Sequence, residues 1–172
     1  MSGMTDQPWL DFGLFSRFKL IRQAETSECG LACVAMIANH YGMQVEVGTL
    51  RRHHEASTRG TSARDLTQMA DRLGMSTRVV RCDLTDLGNL RLPAILHWNL
   101  GHFVVLHRVQ GRRLHIADPS AGLQRLDFAQ ASPHFSGIAI EFAPTPRFER
   151  KLRDKPMSLR QLIKGTPRMA WS

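Results

Sequence analysis

No stretch of this sequence approaches the roughly 18 consecutive apolar residues that a membrane-crossing helix needs, so the chain does not itself span a bilayer. Cysteine is scarce and odd in number. The three present, two of them four residues apart, supply no disulfide framework and point to a reducing compartment. The opening MSGMTDQPWLDFGLF lacks the positive start and unbroken apolar stretch of a signal peptide, carrying acids and a proline instead. Internal repeats and low-complexity tracts are absent too. Within these limits, 172 residues at 42% hydrophobic can bury one ordinary core, which fits a single globular domain with an appended segment.

Positive charge is abundant, at +8, but it is not spread over the chain. Positions 1–146 hold 15 Lys+Arg against 13 Asp+Glu, a balance of +2, whereas 147–172 hold 8 against 2, a balance of +6. A nucleic-acid-binding face would need that charge on the body, so no nucleic-acid partner is expected. The tail APTPRFERKLRDKPMSLRQLIKGTPRMAWS, with four prolines and little apolar content before SLRQLI, reads as a linker leading into something longer.

CGLACVAMIANH predicts a helix from Cys29 to His40, with Gly42 as its stop. A second runs from about Val47 to Glu55. A third begins at Ser62, whose spacing to Asp65 is that of a capping box; Leu66, Met69, Ala70 and Leu73 share one face, and Gly74 ends it. From Met75 the apolar period changes to two. STRVVRC, PAILHWN, HFVVLHRVQ, RRLHIAD, GLQRLD and SGIAIEF read as strands, with HFVVLHRVQ and LHIAD forming a hairpin. Helices first and strands afterwards make an α+β domain, N-terminal helices packed on a mostly antiparallel sheet.

Cys29 stands at the start of the first helix, where the helix dipole and unpaired amides favour a reactive sulfur. Cys33, one turn deeper among Ala32, Val34, Ala35 and Ile37, is a buried hydrophobe by the same reasoning. Gln23, six residues before Cys29, can fold back so that its amide joins the Cys29 backbone N–H in an oxyanion hole. A thiol nucleophile also needs an imidazole base and a group to orient it. Among eight histidines, His53 and His54 lie in a charged run, His40 closes a helix and His134 follows a proline. His107 faces away from His102 by strand alternation. His102, at a strand start after the bend NLG, is preferred as base, with His97 as rival. Asp118, closing LHIAD before Pro119, becomes a neighbour of His102 across the hairpin, with Asp127 as fallback orienter. A zinc set of Cys29, Cys33, His97 and His102 lacks a tight Cys-x-x-Cys pair, and no metal is expected.

The blocks QAETSECGLACVAMIANHYG, LHWNLGHFVVL and HIADP, in this order, resemble the double-glycine peptidases, the papain-like domains at the N-terminus of bacteriocin-exporting ABC transporters. The similarity covers about residues 17–143, with further matches at LRRHHEASTRGTSARDLTQMADRLGM and SGIAIEF. It implies a papain-like cysteine peptidase fold with Cys29 as nucleophile, His102 as base and acid, Asp118 as its orienter and Gln23 in the oxyanion hole. It favours His102 over His97. It also implies a leading segment 1–16, a peptidase domain 17–145, and a basic linker 146–172 entering a transmembrane domain absent from this chain. The implied reaction is removal of a double-glycine leader from a bacteriocin or microcin precursor, coupled to export. No cofactor is implied for this domain, and since it carries no Walker motif, ATP is expected in a nucleotide-binding domain elsewhere. The implied partners are the precursor's leader, the membrane and nucleotide-binding domains of a dimeric transporter, a periplasmic adaptor and an outer-membrane channel. The implied location is the cytoplasmic face of the bacterial inner membrane. Some relatives keep the fold without the cysteine and only dock cargo; Cys29 is present here, which leaves docking as the alternative.

Overall fold

The computed structural model describes residues 18–53 and 61–150. The expectations for the leading segment 1–16, the last turn of the second helix and the linker beyond 150 lie outside these residues.

The chain enters through a 3-10 turn, Thr26–Glu28, into helix α1, Cys29–His40. Residues 29–38 are all buried, as expected for a helix that is apolar on every side and therefore central. α2 follows at Val47–His53 and α3 at Ala63–Arg72. The capping box of α3 forms as its spacing predicts: Ser62 Oγ accepts from the Asp65 amide at 3.2 Å, and Asp65 accepts from the Ser62 amide at 2.8 Å. Leu66, Met69 and Ala70 are buried on its inner face, and Gly74 leaves the helix at φ +77°.

Six strands follow: β1 Met75–Arg81, β2 Ala94–Trp98, β3 His102–Gln110, β4 Arg113–Asp118, β5 Gly122–Asp127 and β6 Phe135–Pro144. They form one sheet in the order β1-β6-β2-β3-β4-β5, every neighbouring pair antiparallel. The architecture is the expected α+β arrangement. Two short elements escape the sequence pattern, a 3-10 turn at Leu84–Asn89 and α4 at Phe128–Ala131, because one turn of helix has no apolar period to read. Each is nonetheless capped, by the Asp83/Asp86 and Asp127/Gln130 pairs respectively.

The sheet buries both faces. Phe103, Val105, Ile140 and Phe142 pack against α1, while Leu96, Val104, Leu106, Leu114 and Ile116 pack on the other side with Leu87 and Ala131 from the short elements. Full burial of each large side chain stabilises by about 1.5–3 kcal/mol, which is why β2 and β3 read as runs of apolar residues and not as strict alternation.

The first turn of α1 is held tightly against α3. A Cβ on Gly30 would lie 2.9 Å from Thr61 Cβ and 2.8 Å from Leu66 Cδ2, so only glycine fits without displacing them. Gly30→Ala is therefore expected to cost roughly 1–3 kcal/mol by overpacking, outweighing the better helix propensity of alanine. At about 2–4 °C of melting temperature per kcal/mol, a calorimetric melt reads this directly, and an unchanged or raised midpoint would refute the tight fit.

Candidate active site

Cys29 is the first residue of α1 and only 4% exposed. His102 is the first residue of β3, placed there by the bend Asn99–Gly101, in which Asn99 and Leu100 both take positive φ (47° and 58°) so that Trp98 can pair with His102. Asp118 is the last residue of β4. The hairpin register puts Ala117 opposite Val105, which sets Asp118 level with Val104, so it meets His102 diagonally instead of head-on. The two side chains bond at 2.8 Å, His102 Nε2 to Asp118 Oδ1.

That single carboxylate oxygen is heavily used. It also accepts from the Ser120 amide and Ser120 Oγ, both at 2.8 Å, and from the Ala121 amide at 3.2 Å. Burial opposes its charge, but the bonds from His102 and the turn outweigh burial and hold the carboxyl well below the usual range. His102 responds in the opposite sense. Its bonds to Asp118 and then to Cys29, against partial burial, push its pKa up to about 9. With Nε2 taken by Asp118, Nδ1 is the ring nitrogen left for the Cys29 sulfur.

Gln23 arrives from the segment before the 3-10 turn. Its amide donates to Pro119 O at 3.2 Å and its neighbour Arg22 donates to Ser120 O at 2.8 Å, pinning this segment on the turn that follows Asp118. The Gln23 side-chain oxygen is buried with no hydrogen-bond partner among the described residues. The structure thus gathers Gln23, Cys29, His102 and Asp118 at one place, where the start of α1 meets the β3–β4 end of the sheet.

The rival residues are occupied elsewhere. His97 Nδ1 bonds Ser136 Oγ at 2.7 Å, and Asp127 caps α4 by accepting from the Gln130 amide at 2.8 Å. His107 stacks on Phe18 with ring centroids 4.7 Å apart, and His134 bonds Asn99. Cys33 is fully buried, donates to Phe103 O at 3.3 Å, and has its thiol pKa pushed up by burial and by the neighbouring Cys29 and Asp118. Among the described residues, no three His, Cys, Asp or Glu side chains are grouped to hold a metal ion. Sequence reasoning missed Ser120, although Asp-Pro-Ser is a turn in which a carboxylate bonds two residues on. It also missed Glu28 and Arg51, buried partner and exposed partner of an ion pair beside the cysteine.

The Peptidase C39 family model matches residues 17–147. The chain belongs to this family. Its papain-like fold and its place among cysteine peptidase domains follow from that membership and from solved C39 structures. A double-glycine-motif protease from an AMS/PCAT transporter, in complex with the leader peptide, is 31% identical over 74% of this chain and 91% of that one, with a TM-score of 0.70. The peptidase domain of Streptococcus ComA, a bi-functional ABC transporter of a quorum-sensing pathway, is 32% identical over 74% and 99%, with a TM-score of 0.69. Among full-length relatives, the probable microcin-H47 secretion/processing ATP-binding protein of Escherichia coli is 41% identical over 90% of this chain. The colicin V secretion/processing ATP-binding protein of the same organism is 39% identical over 90%. The chain spans 22% of the length of each of these two relatives. No helix of this C39 domain, among the described residues, is long and apolar enough to cross a membrane.

Proposed function

We propose that this C39 domain is a thiol endopeptidase that removes double-glycine-type leaders from bacteriocin or microcin precursors, with Cys29 as nucleophile. The observation that carries this reading is the His102 ring, bonded at 2.8 Å to Asp118 at the end of β4 and close enough to Cys29, at the start of α1, to be influenced by its thiol. His102 already carries at Nδ1 the proton it shares with Cys29, and the sulfur attacks the carbonyl carbon of the second small residue. The oxygen that gains charge is received by the Cys29 backbone N–H and the Gln23 amide. His102 then gives its proton to the leaving amine, and a water that it deprotonates hydrolyses the thioester. Asp118 holds the imidazole in orientation throughout. Small residues before the cut allow the substrate backbone to approach a cysteine that is itself only 4% exposed.

The wider reading takes this domain as part of a transporter, which the ATP-binding secretion/processing relatives support. The domain spans 17–145, and residues 146–172 form a basic linker to a transmembrane domain, consistent with a +6 balance over positions 147–172 and the tendency of Lys and Arg to gather on the cytoplasmic side. ATP binds a nucleotide-binding domain elsewhere in the dimeric transporter, which works at the cytoplasmic face of the inner membrane with a periplasmic adaptor and an outer-membrane channel. The direct test is incubation of the domain with synthetic precursor peptides, the cut being located by mass spectrometry. Cleavage after the small-residue pair supports the reading; saturable binding of the leader with no cut would favour the docking alternative instead.

The pH dependence has a definite sign. His102 is raised from 6.5 to about 9, so it keeps its proton through neutral pH and loses it as pH passes about 9. The leaving amine then has no acid. The kcat/KM for leader cleavage is expected to hold from neutrality to about pH 9 and to fall about tenfold per unit beyond. The stability that His102 draws from Asp118 is fully present below pH 6.5 and lost over the same rise through about 9. A profile already falling near pH 7 would contradict the His102 assignment.

A further inference from the structure

We infer that the Glu28–Arg51 ion pair positions the loop carrying Gln23 and thereby sets the turnover of the peptidase, though neither residue touches the substrate. This rests on the peptidase reading above.

Glu28 immediately precedes the nucleophile and is 4% exposed, a burial that is costly for a carboxylate unless it is fully partnered. It is partnered by the loop itself. One oxygen, Oε2, accepts from the amides of Ala24 and Glu25, both at 3.1 Å, and the other, Oε1, is gripped by the Nε and Nη2 of Arg51. The Glu28 amide closes the loop by donating to Glu25 O at 3.0 Å. Gln23 therefore sits between two anchors: its own N–H on Pro119 O, and the carboxylate that fixes the two residues after it.

The position of Glu28 sharpens the argument. It is the N-cap residue of α1, where a side chain ordinarily accepts from amides of the first helical turn. Glu28 makes no such bond. Its carboxylate instead closes the capping box of the preceding 3-10 turn, with one oxygen on the amides of residues 24 and 25, while Arg51, reaching over from α2, 23 residues away in sequence, holds the other oxygen. This leaves the first-turn amides of α1, at the sulfur's end, without a side-chain acceptor that would compete with a developing oxyanion.

The test compares wild type, Arg51→Met, Arg51→Lys and the double variant Glu28→Gln/Arg51→Met, which leaves no buried charge unpaired should Arg51→Met fail to fold. Two rates are read on each: cleavage of a synthetic double-glycine precursor, and alkylation of Cys29 by iodoacetamide, which forms no tetrahedral oxyanion. The expected result for Arg51→Met and the double variant is a kcat lowered about 10- to 100-fold, with KM and alkylation rate within about twofold of wild type. Arg51→Lys should recover part of the loss. Equal kcat in wild type and variants overturns the inference, as does alkylation that falls in parallel with cleavage, since the pair would then act on Cys29 and His102 themselves. A wild-type domain that alkylates but leaves the precursor whole overturns the peptidase reading and this inference with it.

Discussion

Replacing Cys29 with alanine is expected to lower leader cleavage by roughly 10⁴- to 10⁶-fold, while Cys33→Ala leaves most of it. The two sulfurs are one helical turn apart, so nothing in their local sequence guarantees so different an outcome. Their surroundings do. Cys29 meets the His102 ring, whereas Cys33 spends its only proton on Phe103 O at 3.3 Å and is fully enclosed. Burial raises its pKa and keeps it a thiol. Its loss removes one weak hydrogen bond and opens a cavity the size of a sulfur atom, worth on the order of 1 kcal/mol and a few degrees of melting temperature. Measured by quantitative mass spectrometry of the released leader, equal activity in the two variants would reject Cys29 as nucleophile.

Asp118→Asn is the second large effect, expected at roughly 10²- to 10⁴-fold in kcat/KM. The isosteric amide can still accept at Oδ1 from Ser120 and Ala121, so the turn after β4 survives and the change is mainly one of charge. Without the negative charge, the Asp118 interactions that raise His102 are weakened, and its pKa should move from about 9 back toward 6.5. The alkaline fall in activity then shifts to lower pH by the same displacement. A variant with the reduced rate but an unmoved alkaline limb would mean that Asp118 matters for shape and not for the proton on His102. Stability separates the two effects further. Asp118 carries a depressed pKa, so its contribution is present above the unfolded value of 3.8 and lost as pH falls toward the folded one. The acid limb of the wild-type stability curve should therefore flatten in the variant.

The boundaries of α1 and the capping box of α3 are local facts. A cysteine-to-histidine run with no polar face, and a serine three residues before an aspartate, declare themselves within one turn of chain. The six strands are equally legible, because their apolar residues change period at Met75. Less legible is how the strands line up. The sequence predicts His102 and Asp118 as neighbours, but their diagonal meeting depends on the irregularity between Leu106 and Arg108 in the β3–β4 ladder, which no residue pattern announces. Ser120 is visible in principle from Asp-Pro-Ser, yet its convergence on the same oxygen as His102 is not.

By itself, then, the amino-acid order determined the longer helices and the strands, though not the two short elements after β1 and β5, and put a thiol at a helix start with a glutamine six residues before it. Those outcomes rest on interactions spanning a few residues. The tertiary fold decided what the thiol meets: an imidazole charged by a carboxylate 16 residues away, a loop pinned to a turn 98 residues on, and a buried glutamate paired with an arginine on another helix. Such contacts exist only once α1 is buried against the sheet, because burial removes the water that would otherwise satisfy each of these groups singly.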